Sequence, residues 1–268
     1  MGRFSLRKQS GMDMRKPVVI IGVGEMGGVF ARGLLRRGHP LVPVTRDMDL
    51  QMVAEQVPEP EFVLVAVAEK DLHPTLAQIP APWHDRLALL QNELLPRDWA
   101  AYPFSQPTVI SVWFEKKPGQ EVKVLLASPA HGPHADTLRQ ALATLDIPAR
   151  VVDSDTEMCF ELVRKNVYIL TTNIAGLKTG GTVADLWDKH EAFARQVAEE
   201  VMDLQATLVE QPLPRERLIA GMLEAFEGDP EHKCMGRSAP ARLQRARQQA
   251  AAAGLKTPTL DRIAADQK

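Results

Sequence analysis

Residues 18–31 read VVIIGVGEMGGVFA. A continuous apolar run of this kind suits a strand buried on both faces of a parallel sheet. It passes directly into Gly22-Val23-Gly24-Glu25-Met26-Gly27. Met26, Val29, Phe30, Gly33 and Leu34 then recur at helical spacing, and Gly38 ends the helix. Strand, glycine turn and helix in that order form the context in which G-x-G-x-x-G binds a dinucleotide rather than merely turning the chain. Gly22 permits the tight turn, Gly24 lets the backbone approach a pyrophosphate, and Gly27 lets the helix pack close to the sheet. The first turn of the helix, with Glu25 and Met26, offers free N–H groups and positive dipole to phosphates.

The end of the second strand selects the nucleotide. An NAD site has an acid there to hold the ribose hydroxyls. This chain has Val44-Thr45-Arg46, with Asp47 one place later. Arg46 suits the 2′-phosphate of NADP through a charge-assisted fork, and Thr45 adds a hydroxyl. The pattern favours NADP over NAD.

Further strands are expected over 41–45, 62–67, 87–91, 108–114 and 121–127. A helix over 134–145 and a strand over 150–152 follow. Alternation of this kind implies a mostly parallel sheet covered on both faces. From about 155 no strand pattern returns, and 157–177, 182–208, 215–226 and 240–253 read as helices. The expected fold is α/β: an N-terminal Rossmann NADP-binding domain over 17–154, then an all-α substrate and closure domain over 155–268. Residues 1–16 are basic and polar, read as a disordered leader or as preceding a start at Met12 or Met14.

The chain has 268 residues, ample for two cores. A formal net charge of −2 gives no general attraction to nucleic acid or to an anionic membrane. No apolar stretch reaches the roughly 18 residues of a membrane span. Cys159 and Cys234 lack metal or redox spacing and fit a reducing cytoplasm. Cys159 is expected in the core. Cys234, in HKCMGR, is near basic residues that lower a thiol pKa and would make it reactive. His131 and His134 stand three apart without an acid or cysteine at ligand spacing, so His134 reads as a helix-start residue and no metal is expected. The run RLQRAR at 242–247 reads as a charged helix face.

Three further stretches carry a resemblance. Gln91-Asn92 ends the fourth strand in LALLQNELL. Lys165 and Asn173 lie in RKNVYILTTNIAGL. Gly254, Thr257 and Pro258 lie in RQQAAAAGLKTPTLDRI. With the glycine turn, these resemble the ketopantoate reductase (2-dehydropantoate 2-reductase) family over about residues 17–265. The resemblance implies a Rossmann domain holding NADPH and a helical domain of the 6-phosphogluconate dehydrogenase C-terminal type closing over it. It implies that Lys165 is the catalytic lysine, that Asn173 binds substrate, and that Asn92 lies near nicotinamide and substrate. Helix geometry agrees, since Lys165 and Asn173 fall within about 80° of each other, two turns apart.

The chain departs from that family at three places. Ile169 stands where the family has a second asparagine; Asn166, seven residues before Asn173, shares its face without being assigned that role. Ser238 falls at the position of the family's substrate-binding glutamate, and no acid occurs between Glu231 and Asp261. Glu93 replaces the glycine of the usual Asn-Gly. The implied activity is NADPH-dependent reduction of a 2-oxo acid or related small carbonyl, with the proton from Lys165. Two other readings share the scaffold: an NADP-binding member without turnover, and a different nicotinamide-dependent reductase. A homodimer is a further expectation.

Overall fold

The computed structural model describes residues 15–267. Residues 1–14 of the expected leader lie outside the described residues. Arg15 and Lys16 already meet the body of the protein, at His39 and Glu59.

In chain order the first half contains β1 (Val18–Ile21), α1 (Glu25–Arg36), β2 (Leu41–Val44), α2 (Leu50–Gln56), β3 (Val63–Val65) and α3 (Leu72–Leu76). It continues with β4 (Leu87–Leu89), α4 (Pro96–Ala100), β5 (Thr108–Ile110), β6 (Phe114–Glu115), β7 (Lys123–Val124), β8 (Ser128–His131), α5 (Ala135–Ala143) and β9 (Ala149–Val151). The second half is α6 (Asp155–Thr179), α7 (Val183–Val209), α8 (Arg215–Gly228), α9 (Ala239–Ala252) and α10 (Pro258–Ala265).

Seven strands form one sheet in the order β2-β1-β3-β4-β5-β8-β9. All neighbours run parallel except β5 and β8, which are antiparallel. Side chains alternate across it. Val18, Ile20, Phe62 and Leu64 enter the core beneath α1 and α5. Val19, Ile21, Val63 and Val65 enter a second core that continues into the helical half. Both faces are therefore covered, as the unbroken apolar strands required. In the second half α6 is the hub, packed against α7, α8, α9 and α10. Ser154 starts it, its hydroxyl accepting from the Glu157 N–H at 3.2 Å.

Two expectations are corrected. The stretch 108–114 is not one strand. The Trp113 N–H turns to the Ser128 hydroxyl at 2.9 Å, and the chain leaves the sheet after Ile110. Phe114–Glu115 then pairs with Lys123–Val124 as a separate antiparallel ribbon. Of 121–127, only Lys123–Val124 is strand, and the segment that enters the main sheet is β8. Pro129 and the two histidines around Gly132 hide that strand from an apolar-pattern reading. α2 also goes unsignalled by periodicity. It is fixed by Asp49, whose carboxylate accepts from the Gln51 and Met52 N–H groups.

Candidate active site

The glycine turn divides its residues between fold and ligand. Gly22 sits at φ 93°, and a Cβ there would lie 2.7 Å from the Ala66 carbonyl oxygen. Its N–H donates to the Val44 carbonyl at 3.0 Å, tying the turn to the end of β2. A Cβ on Gly27 would lie 2.1 Å from the Gly22 carbonyl oxygen. A Cβ on Gly24 would meet nothing within 4 Å. Gly22 and Gly27 are thus demanded by packing, whereas Gly24 faces open space at the start of α1, where no side chain caps the helix. The turn fits a pyrophosphate: uncapped N–H groups and room beside the backbone. Glu25 would oppose that charge, but Lys116 pairs with it at 3.1 Å. Met26 lines the cleft described next. Thr45 and Arg46 follow β2 and are exposed, with Arg46 91% accessible and 3.8 Å from Asp71.

A cleft of about 710 Å³ runs from this turn across the chain segments that leave β3 and β4 to the opposite wall formed by α6. Clefts outside the carboxyl ends of parallel strands are where open α/β sheets bind ligands. Gln91 shapes this edge, its amide donating to the Val65 carbonyl at 2.7 Å. Asn92 comes next and donates to Glu69 Oε1 at 3.0 Å.

Lys165 projects from α6 into the cleft. Its ammonium donates to the Val112 carbonyl and lies 4.6 Å from the centre of the Trp113 ring. Burial brings its pKa down to about 7; the Arg242 charge pushes the same way, and Glu115 and Glu69 oppose. Ile169 and Asn173 line the same wall. Asn173 Oδ1 accepts from Arg242 Nη1 at 3.0 Å. Arg242, on α9, also donates from Nε to Glu93 at 3.0 Å and from Nη2 to Glu69 at 3.3 Å. Arg245 adds two bonds to Glu93. Burial pushes the Glu69 carboxyl up, yet its own backbone N–H, the Asn92 amide and the two arginines hold it below the ordinary carboxylate range.

Lys165, Asn173, Asn92, Gly24, Glu25 and Met26 therefore meet at one cleft. Ser238 does not. It is exposed just before α9, and its hydroxyl makes no cap. The residue that α9 sends into the cleft is Arg242, one turn later. Asn166 is also turned away: it is buried against α7, donating to Gln205 at 3.0 Å. Arg242 and Arg245, read as part of a charged helix face, are half-turned into the protein, and only Arg247 keeps to the surface with Asp261. The local sequence carried no signal for this, because the partners of Arg242 and Arg245, Glu69 and Glu93, lie far away along the chain.

The remaining expectations resolve simply. Cys234 is fully buried, and burial pushes its thiol up to about 11, so its basic neighbours do not activate it. Cys159 is half-buried rather than in the core, with the Gln211 amide 3.5 Å from its sulfur. His134 precedes α5, its N–H donating to the Thr108 hydroxyl at 2.9 Å and its ring against Phe62. His131 contacts the Val152 carbonyl and Asp155. No helix among the described residues is long and apolar enough to cross a membrane.

Known structures share this architecture. The chain is similar to 2-dehydropantoate 2-reductase from Methylococcus capsulatus, with TM-score 0.67 and 16% identity over 94% of this chain and 95% of that one. It is similar to a dimeric ketopantoate reductase from Staphylococcus aureus, with TM-score 0.61 and 18% identity over 93% and 96%. It is similar to D-mandelate dehydrogenase in complex with NADH, with TM-score 0.65 and 16% identity over 92% and 96%. No family profile and no curated protein matches the sequence. At such identities the shared property is the fold: a Rossmann-type sheet followed by a helical half, along nearly the whole of each chain. The resemblance read from the sequence thus extends to the ketopantoate reductase architecture.

Proposed function

We propose that the protein is an NADPH-dependent reductase of a 2-oxo acid or related small carbonyl. The observation that carries this is Lys165, a cleft-facing amine with its pKa brought to about 7, across from a glycine turn with room for pyrophosphate. NADPH, when bound, supplies the hydride. Gly24 and the first N–H groups of α1 would hold its phosphates, and Arg46 with Thr45 its 2′-phosphate. Lys165 as ammonium would donate to the substrate carbonyl oxygen, stabilise the negative charge that develops there, and pass its proton to it. The neutral amine then regains a proton from water. Asn92 and Asn173 would orient the substrate, and the Val112 carbonyl and Trp113 ring hold the amine in place. The relatives of this fold include reductases and dehydrogenases of 2-oxo and 2-hydroxy acids, which supports the chemistry. Two unpaired cysteines suit a reducing, cytoplasmic setting in which NADPH is available. A homodimer belongs to the same reading, since one relative of this fold is described as dimeric; the mass in solution decides it.

The test is the oxidation of NADPH by the purified protein across a panel of 2-oxo acids that includes ketopantoate and phenylglyoxylate. Saturable turnover supports the reading. Tight NADPH binding without turnover on any carbonyl contradicts it and favours a non-catalytic nucleotide binder.

A further inference from the structure

A guanidinium carries five N–H groups. Arg242 commits one to Glu93, one to Asn173 and one to Glu69, and the other two have no partner among the described residues. The side chain is only 11% exposed, yet it lines the cleft with Lys165 and Asn173. A long charged side chain loses much conformational freedom when fixed at three points, and two of its donors are left for a group that enters the cleft. Its own charge is already balanced locally. Glu69 and Glu93 offset Arg242 and Arg245, and Glu115 faces Lys165. The two unused N–H groups of Arg242, beside the Lys165 amine in the same cleft, suit the acceptor oxygens of a carboxylate. A cationic ligand gains nothing from them.

We propose that Arg242 is the carboxylate-recognising residue of the cleft, selecting an oxo acid over the corresponding uncharged carbonyl through the two N–H groups that the protein leaves unused. This rests on the reductase reading above. Arg242 reaches the cleft only because Glu69 and Glu93 steer it there, so the two acids act as positioning residues.

The experiment compares ketopantoate, 2-oxoisovalerate and phenylglyoxylate, each beside its methyl ester, with NADPH as reductant. The proteins are wild type, Arg242→Gln and Arg242→Lys. Arg242→Gln is expected to lower kcat/KM for the acids by about tenfold or more, mainly through KM, because a charge-assisted pair is lost. Turnover of the esters should change by less than about threefold, since they present no charge to that pair. Arg242→Lys should keep part of the preference for acids. A fall of equal size for acid and ester would overturn the proposal and leave Arg242 as a tie between the two halves. Absence of wild-type turnover on every acid and ester overturns the reductase reading itself, so the two failures are told apart.

Discussion

At the scale of single residues, the proposed role of Lys165 sets the expected pH dependence. An ordinary lysine stays charged to about 10.4, so its use as an acid would leave carbonyl reduction flat through neutrality. Here burial, seconded by the charge of Arg242, has brought the pKa to about 7. Reduction requires the ammonium. For reduction, kcat/KM is therefore expected to be level below about pH 7 and to fall toward tenfold per pH unit above it; a profile level to pH 9 would contradict this. On the proposed reading, Arg46 selects the cofactor. Arg46→Ala should weaken NADPH about tenfold while NADH changes by less than about twofold, with the difference shrinking in high salt. Equal effects on both nucleotides, measured by direct titration, would remove Arg46 from the 2′-phosphate site. That Lys165, Asn173 and Asn92 share one cleft was legible because each stands in a short motif with a resemblance. Arg242 was not, because its meaning lies in Glu69 and Glu93, which are more than a hundred residues away along the chain.

Among the elements, the glycine turn was the most legible, since its spacing is set within six residues even though Val44 and Ala66 press on Gly22 from later strands. Its three glycines make different predictions. Gly24→Ala adds a methyl group to open space, so the melting temperature should hardly move while NADPH binding weakens by about tenfold or more. Gly27→Ala drives a methyl group against the Gly22 carbonyl and should cost on the order of 1–3 kcal/mol of stability. If both variants lost stability alike, the division of roles within the turn would be wrong. The ribbon of β6 and β7 was the least legible element. Two-residue strands carry almost no period, and the exit of the chain at Trp113 depends on the Ser128 hydroxyl from a later segment. Glu93 illustrates the same limit. It holds φ 62°, the left-handed region that suits glycine, and its partners are the arginines of α9. Local sequence marks the turn but not the ion pairs that make a glutamate worth keeping there.

For the molecule as a whole, the cleft depends on two halves meeting. The sheet supplies the turn, Asn92, Glu69 and Glu93, and the helical half supplies Lys165, Asn173 and Arg242. The change from alternating α/β to all-helix near residue 155 was plain in the pattern. The way α6 and α9 face the strand ends was not, because packing direction follows from shape across long distances. Ligand linkage offers a global check. NADPH at 100 times its Kd should stabilise the folded chain by about 2.7 kcal/mol and raise Tm by roughly 5–10 °C, and NADH should do less at the same concentration. No shift with either nucleotide would remove the dinucleotide from the account. The most direct single measurement is NADPH oxidation with the best oxo acid of the panel, for wild type beside Lys165→Ala. A loss of about 10²–10⁴-fold in kcat is expected, with NADPH affinity retained. Turnover surviving the substitution within a few fold would contradict a proton-donating Lys165 and the reductase chemistry built on it.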